Sequence, residues 1–206
     1  DSKENKNGFF LMGLRSFLFK KRSYTPIPIV IAVIYYSQPY KPFWIYGVFL
    51  IFLGEIIRFN AVRHAGGRTR TTNVGAKSLC TSGPYSRTRN PLYIGNLFIY
   101  SGVVFFAGGV YMVELLAFVI VYFIFQYSMI ISLEEEKLFF LFGKSYLLYK
   151  NNVPRLIPLL TPWTGESKLT PASIPKTIRT ERRTLQNIFL LIFIIVSKPH
   201  ITRFIL

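Results

Sequence analysis

Two short stretches of the chain concentrate side chains that can bind a charged ligand. The first, SGPYSRTRNPLYIGN, covers residues 82–96 and opens an apolar segment. It joins a Gly-Pro turn signal to a proline suited to a first helical turn, with Arg87, Arg89 and Asn90 just before it. Backbone N–H groups at a helix start already favour an anion. On spacing alone, the carboxylate or phosphate of a small molecule and a phospholipid head group fit this site equally well.

The second stretch, SLEEEKLFFLFGKSYLLYKNNVPRLIP, covers residues 132–158 and follows the longest apolar run. Glu134, Glu135 and Glu136 are consecutive and repel one another, so at least one is expected to face a cation. Tyr146 and Tyr149 are three residues apart and fall close to one helix face. Taken alone, the stretch is also typical of a solvated acidic cap before an amphipathic surface helix.

The composition is that of a membrane protein with several spans. Of the 206 residues, 51% are hydrophobic and 17% aromatic, and the mean hydropathy is +0.36, too apolar for an ordinary soluble domain. The net charge is +16, but Lys and Arg cluster beside apolar runs, as expected at an anionic membrane leaflet and not for a nucleic-acid partner. One cysteine, Cys80, and two distant histidines predict neither an internal disulfide nor a metal site.

Hydropathy predicts one all-α domain over residues 1–206, a transmembrane bundle of four to five spans. An interfacial helix is predicted at 8–22 and a polar connector at 161–183. The sequence Ala-Gly-Gly at 107–109 predicts a tight hairpin between the third and fourth spans. The predicted spans are 24–40, 43–62, 92–107, 110–132 and a weaker fifth at 185–197.

Positive residues predict the orientation of the bundle. They are dense before the first span and between residues 63 and 89, whereas Lys41 alone occupies the loop between the first two spans. The N-terminus, the 63–90 loop and the 133–184 segment should therefore share the cytoplasmic side. The expected location is a multi-pass position in the cell membrane of a prokaryote or the endoplasmic reticulum of a eukaryote.

The predicted hairpin brings the basic start of the third span beside the acidic end of the fourth. A ligand that carries both a cation and an anion would fit between them. S-adenosylmethionine is such a molecule, because its sulfonium and ammonium groups favour carboxylates and aromatic faces while its carboxylate favours arginine or a helix N-terminus.

The two stretches together resemble the superfamily of isoprenylcysteine carboxyl methyltransferases and phospholipid methyltransferases, over residues 83–158. The first family motif is matched by Arg89, Pro91, Tyr93 and Gly95, with Asn90 where the family has histidine. The second is matched by Glu134, Glu135, Leu138, Phe142, Gly143, Tyr146 and Tyr149. The resemblance implies a methyltransferase core at 83–158, with S-adenosylmethionine bound on the cytoplasmic side and a lipid-borne acceptor entering sideways from the membrane.

The resemblance also implies roles for individual residues. Catalytic roles fall on Arg89, Glu135 and Tyr93. Cofactor-binding roles fall on Arg87, Asn90, Pro91, Tyr93, Gly95, Glu134, Glu135, Tyr146 and Tyr149. A carboxylate acceptor is already a nucleophile and would be oriented by arginine, whereas a phospholipid amine is mostly protonated and needs a base, Glu135 or Tyr93. The sequence leaves both acceptors open.

Two other functions compete with methyl transfer. A sterol-reductase-like enzyme using NADPH has a similar C-terminal half, but the acidic triplet favours a cationic cofactor. A non-catalytic basic membrane protein would use both motifs only to bind lipid. Elsewhere, Glu55 and Arg58 are predicted to form a structural pair, with a role in a substrate channel as the alternative. The basic 66–75 loop is predicted to bind head groups, with folding over the cofactor as the alternative. The oligomeric state is not predicted.

Overall fold

The computed structural model describes residues 2–40, 42–65, 78–165 and 170–205, and the predicted 66–75 head-group loop lies outside them. This part of the chain is all helical, with a 3-10 turn at Gly83–Ser86 and no strand. The six α-helices are α1 (Ser2–Lys21), α2 (Ile27–Tyr35), α3 (Phe43–Ala65), α4 (Pro91–Ala107), α5 (Met112–Asn152) and α6 (Ile174–Ile205). One apolar core joins α2 to α6, with Val33, Ile51, Val103, Phe123 and Ile195 buried in it.

Glycines allow α3 and α4 to pack more extensively than any other pair of described helices. A Cβ atom added to Gly54 would lie 2.6 Å from the carbonyl oxygen of Gly95, and one added to Gly47 would lie 2.7 Å from that of Gly102. A Cβ atom added to Gly95 or to Gly102 would likewise lie 2.8 Å from the carbonyl oxygen of Gly54 or of Gly47, respectively. Backbone therefore meets backbone along this seam, as is common where small residues line the interface between membrane helices.

The predicted hairpin between the third and fourth spans is present. Gly108 and Gly109 have φ angles of 59° and 95°, a left-handed region that other residues rarely adopt. They end α4 and let α5 begin at Met112. The short turn brings the first residues of α4 alongside the middle of α5.

Within the described ranges, two helices, α3 and α5, are long and apolar enough to cross a membrane. The predicted first span is helical over only nine residues in α2, a length of about 14 Å, short of the roughly 30 Å hydrocarbon core. The third predicted span forms α4, a 17-residue apolar helix. The predicted four to five crossings therefore rest on the composition of the sequence and stay a prediction.

The helix that contains the fourth predicted span does not end at residue 132, because α5 continues to Asn152 through the acidic triplet. Gly143 has φ 48° and bends it. The chain then runs back over the 83–90 loop as a tail at 153–163, which we call the return strap. Three backbone hydrogen bonds of 2.9 Å fix this strap, from Arg89 N to Pro154 O, from Leu159 N to Arg87 O and from Trp163 N to Ser86 O.

Two helices outside the central pair close the bundle. α1 covers the predicted interfacial segment and packs Leu18 and Phe19 against Ile130 of α5. α6 begins at Ile174, so the predicted connector 161–183 is helical from that residue onwards, and the predicted fifth span lies inside a 32-residue helix. A buried ion pair ties this part of α6 to the bundle, because Glu181 of α6 lies 2.7 Å from Arg58 of α3.

Candidate active site

A cavity of about 900 Å³ lies between the start of α4, the middle of α5, the α1–α2 turn and α6. Its wall is polar towards the 83–90 loop and apolar between α2 and α6. Seven of the residues predicted for the site line it: Arg89, Asn90, Tyr93, Glu134, Glu135, Tyr146 and Tyr149. The basic start of α4 and the acidic part of α5 thus open into one shared space.

Arg89 and Glu135 form a buried ion pair at the polar end. The Arg89 Nη2 atom donates to Oε1 of Glu135 over 2.8 Å, and both side chains are 9% exposed. The other terminal nitrogen of Arg89 donates to the carbonyl oxygens of Lys150 and Val153, at 2.8 and 2.6 Å. Arg89 therefore joins the start of α4 to the end of α5.

Arg155 completes this arrangement from the return strap. It donates to both carboxylate oxygens of Glu135, at 3.1 and 2.6 Å, and this hydrogen bonding raises the pKa of Arg155 above its usual value. A bidentate pair of this kind is among the strongest protein hydrogen bonds. The Glu135 carboxylate is thus held by two guanidinium groups, which we call the arginine clamp (Arg89, Glu135, Arg155).

Arg155 was not among the predicted site residues. The only signal for it was its place between two prolines in the second stretch, and no spacing rule links it to Glu135. The clamp extends to the 83–90 loop, because the carbonyl oxygen of Arg155 accepts hydrogen bonds from the Thr88 hydroxyl at 3.1 Å and the Asn90 amide at 3.0 Å. Asn90 therefore ties the start of α4 to the return strap.

Tyr93 and Glu134 form a second pair inside the cavity. The Tyr93 hydroxyl donates to Oε2 of Glu134 over 3.1 Å. The Tyr93 ring packs against Tyr127, with 4.5 Å between the ring centroids. Glu134 thus faces the cavity beside an aromatic wall, whereas Glu135 is fully engaged by arginine. The third acid, Glu136, is exposed and pairs outside the cavity with Arg15 at 2.7 Å.

Beside the arginine clamp, and apart from Nε of Arg58 elsewhere on the wall, two buried donors have no hydrogen-bond partner in the described part of the chain. They are the Tyr146 hydroxyl, on a side chain that is 1% exposed, and Nε of Arg89. The neighbouring Tyr149 hydroxyl, by contrast, donates to the carbonyl oxygen of Tyr85 at 2.7 Å. Buried polar groups are nearly always hydrogen-bonded, so these two donors indicate a ligand with acceptor atoms.

Three predicted site residues lie outside the cavity wall. Arg87 is exposed and donates to the carbonyl oxygens of Leu159 and Leu160 in the return strap. Pro91 is buried at the first position of α4. At Gly95, an added Cβ would lie 2.6 Å from the Arg58 side chain and 2.8 Å from Gly54 O. Their observed contacts are with protein, and their role in binding the cofactor stays a prediction.

Arg58 also lines the cavity, and its main partner differs from the predicted one. Its nearest approach to Glu55 is 3.9 Å, whereas its Nη2 atom lies 2.7 Å from Glu181. It also donates to the Asn96 side chain of α4. The sequence missed Glu181 because residues 58 and 181 are distant along the chain. Their pair fixes α6 against the cavity.

Cys80 lies on the cavity wall in the loop before α4. Burial raises the pKa of its thiol, and the sulfur lies 3.4 Å from the carbonyl oxygen of His64. A thiol that is kept protonated is a poor nucleophile. This environment gives no support for a covalent mechanism through Cys80.

Comparison with known proteins identifies a family for the chain that forms this cavity. The family model described as phospholipid methyltransferase matches residues 43–145, which is 103 of the 206 residues. The match runs from α3 to beyond the acidic part of α5, and it stops before Arg155 and α6. No curated protein and no solved structure matches the chain.

Proposed function

The chain belongs to the phospholipid methyltransferase family, and on that premise we propose that it transfers a methyl group from S-adenosylmethionine to the amine of a membrane phospholipid. The observation that carries this proposal is the Tyr93–Glu134 pair, with 3.1 Å between hydroxyl and carboxylate, in a cavity that is polar at one end and apolar at the other. The resemblance to both lipid methyltransferase types, stated from the two motifs, is confirmed by the family match.

The residues at the polar end fit S-adenosylmethionine. The cofactor has a carboxylate, and the buried Tyr146 hydroxyl and Arg89 Nε are donors without a protein acceptor in the described chain. The cofactor also has two cationic groups, and Glu134 and the Tyr93 ring offer a carboxylate and an aromatic face. The cavity of about 900 Å³ is at the upper end of the range for ligand pockets, roughly 300–1,000 Å³, which leaves space for part of an acceptor.

When bound, S-adenosylmethionine would supply a methyl group on a sulfonium: a neutral amine would bond to that methyl carbon in line while the carbon–sulfur bond breaks and S-adenosylhomocysteine leaves. A phospholipid amine is protonated at neutral pH, so a base must take its proton first. Glu134 is that base in our proposal. Its carboxylate accepts the proton. The Tyr93 hydroxyl, which donates to Oε2 of Glu134 at 3.1 Å, holds the carboxylate in place.

The arginine clamp serves to position, and it takes no part in proton transfer. Glu135 accepts hydrogen bonds from two arginines, which stabilise its charged form. It is therefore a weaker base than Glu134. Because the clamp joins α4, α5 and the return strap, we assign it the task of closing the polar end, where excluding water strengthens every electrostatic contact. This assignment replaces the catalytic role that the motif implied for Arg89 and Glu135.

Glu134 also favours an amine over a carboxylate as the acceptor. An ammonium group approaching Glu134 is attracted, whereas the carboxylate of a prenylated cysteine would be repelled by it. A carboxylate acceptor would need a free arginine at the reaction centre. Arg89 cannot take this role, because it is already bound to Glu135 at 2.8 Å. Tyr93 and Glu134 thus support a phospholipid amine.

We further propose that the polar end faces the cytoplasm and that the chain crosses the membrane several times. Contacts join the N-terminal segment and the 63–90 segment to the 133–184 segment. Arg15 contacts Glu136, Arg63 contacts Ala172 and Arg89 contacts Glu135. A shared end is what the distribution of positive residues requires. A soluble cofactor can reach this end, while the acceptor remains in the lipid.

Calorimetry of the purified protein with S-adenosylmethionine and with NADPH tests the cofactor class. The proposal predicts binding of S-adenosylmethionine, weakened about tenfold or more by Glu134→Ala, which is on the order of 1.4 kcal/mol. Glu136→Ala is the matched control, because Glu136 is exposed and pairs outside the cavity. Binding of NADPH alone would reject methyl transfer in favour of a reductase. Binding of neither would favour a non-catalytic lipid-binding protein.

A further inference from the structure

Part of the apolar wall of the cavity is built by two helices that the family match does not cover. Val30 and Ile34 of α2 and Leu191 and Ile194 of α6 line it, whereas the match covers residues 43–145. Ile194 is 38% exposed, and Ile27 and Leu190, also on the wall, are 47% and 56% exposed. The cavity therefore continues into an apolar groove that opens on the outer surface between α2 and α6.

Polar contacts fix both walls of this groove. Towards one end, the Arg58–Glu181 pair joins α6 to α3 at 2.7 Å. Towards the other end, the Lys198 amino group donates to the carbonyl oxygens of Ile34 and Ser37, each at 3.1 Å, at the end of α2. Because α6 is held at both ends, the groove has a defined width. A preformed apolar groove of this kind suits an acyl chain.

Cations outnumber acids along the described cavity wall. Five of its seven charged side chains are basic, and the two acids are Glu134 and Glu135. Arg58 and Arg89 are each paired with a buried carboxylate. The other three, Lys20, Arg22 and Arg183, lie where the α1–α2 turn and α6 border the groove. S-adenosylmethionine carries a net positive charge, so the bound cofactor alone would leave the cavity with excess positive charge.

Arg22 is held in a fixed orientation near the proposed base. Its Nη1 atom donates to the carbonyl oxygen of Phe19 at 2.9 Å, and its guanidinium lies 4.3 Å from the centroid of the Phe19 ring. It is close enough to Glu134 for their charges to interact. Arg183 approaches the same cavity from α6 and is exposed. An anion bridging these two elements would lie beside the reacting amine.

We propose that Arg22 and Arg183 bind the phosphate of the acceptor glycerophospholipid, with one acyl chain in the groove between α2 and α6. This inference rests on the proposed function. The negative charge of the phosphate would offset the excess of basic side chains. In an ethanolamine head group two carbons link the phosphate ester to the amine, so a phosphate at the basic border would leave the amine beside the Tyr93–Glu134 pair. Arg22 and Arg183 are then specificity-determining residues, since guanidinium groups recognise phosphate by paired hydrogen bonds.

Equilibrium binding of a short-chain phosphatidylethanolamine, measured by calorimetry without S-adenosylmethionine, tests the inference. Arg22→Gln and Arg183→Gln should each weaken lipid binding about tenfold, on the order of 1.4 kcal/mol, and leave the Kd for S-adenosylmethionine unchanged. Arg182→Gln is the matched control, because Arg182 is exposed on α6 next to Arg183 but does not line the cavity. It should bind lipid as the wild type does.

Two further ligands separate the phosphate from the rest of the lipid. A long-chain primary amine without a phosphate should bind wild type, Arg22→Gln and Arg183→Gln equally. Inorganic phosphate should compete with the lipid only weakly, because it lacks the acyl chain that the groove holds. An equal loss of binding by the two arginine variants with the phosphate-free amine would overturn the inference.

The outcome for this inference is distinguishable from that for the proposed function. If the wild type methylates phosphatidylethanolamine and both arginine variants bind it as tightly as the wild type, the inference fails and the function stands. If the wild type binds no S-adenosylmethionine, the proposed function fails. Lipid binding weakened by Arg22→Gln and Arg183→Gln but not by Arg182→Gln supports a phosphate site.

Discussion

Arg89 of α4 and Glu135 of α5 are 46 residues apart and joined by a 2.8 Å hydrogen bond in which Arg89 donates. Arg155 donates to the same carboxylate from the return strap. Three parts of the chain therefore meet at one buried charge. A buried carboxylate needs such partners, because leaving it unpaired costs several kcal/mol. The proposed cofactor end of the cavity depends on this arginine clamp for its shape.

Removing Arg89 should destabilise the fold far more than removing Arg87. Arg89→Met leaves a buried carboxylate with one partner fewer and should lower the free energy of unfolding by about 3 kcal/mol or more. Arg87 is exposed and donates only to strap carbonyls, so Arg87→Met should cost less than about 1 kcal/mol. Denaturant unfolding in detergent measures both. Equal stability of the two variants would contradict the clamp.

Glu134→Gln should remove the base while keeping the shape of the side chain. At roughly pH 7 the kcat for a phospholipid amine should fall about 100-fold or more, the usual contribution of a positioned general base. The remaining rate should rise as pH increases towards about 9, because only an amine that has already lost its proton in solution then reacts. Initial rates across that range measure the effect.

The matched control for this prediction is Glu136→Gln. Glu136 is exposed and pairs with Arg15 outside the cavity, so its amide variant should keep the wild-type rate and pH dependence. A Glu134→Gln variant with the wild-type pH profile would show that another group takes the proton.

Tyr146→Phe and Tyr149→Phe should separate ligand binding from stability. The Tyr146 hydroxyl has no partner in the described chain, so its loss should leave unfolding unchanged and weaken binding of S-adenosylmethionine about fivefold to tenfold. The Tyr149 hydroxyl donates to Tyr85 O at 2.7 Å, and its loss should lower stability by about 1 kcal/mol. Calorimetry and denaturant unfolding give the two readouts. The reverse pattern would remove Tyr146 from the cofactor site.

Adding even one methyl group to the α3–α4 seam should lower the stability of the fold. Gly95→Ala places a Cβ 2.8 Å from the Gly54 carbonyl oxygen, and the resulting overpacking should cost about 1–3 kcal/mol. Gly13→Ala in α1 is the control, because nothing lies within 4 Å of its added Cβ. That variant should be neutral or slightly stabilised. Thermal unfolding in detergent would compare them, and a neutral Gly95→Ala would show that the helices can separate without cost.

The local parts of this fold were predictable from the sequence. The hairpin follows from Gly108 and Gly109, whose positive φ angles suit glycine. The start of α4 follows from Pro91, which occupies its first position. The motif residues Tyr93 and Glu134 were also recognised, and the structure brings them within hydrogen-bonding distance at 3.1 Å. These features depend on neighbouring residues or on a short loop.

The long-range parts were not predictable in the same way. Glu181 pairs with Arg58 over 123 residues, and no periodicity within α6 indicates that partner. Arg155 binds Glu135 only because the return strap folds back over the 83–90 loop. Hydropathy also extended the first predicted span well beyond the nine residues of α2, because it reports apolar character and not helix ends.

The most direct test of the central claim is methyl transfer from labelled S-adenosylmethionine to vesicles that contain both phosphatidylethanolamine and a prenylated cysteine. We predict that the label enters the phospholipid as a stable N-methyl group and that Glu134→Gln prevents this. Label in a base-labile methyl ester on the prenylated cysteine, with no label in the phospholipid, would contradict the account.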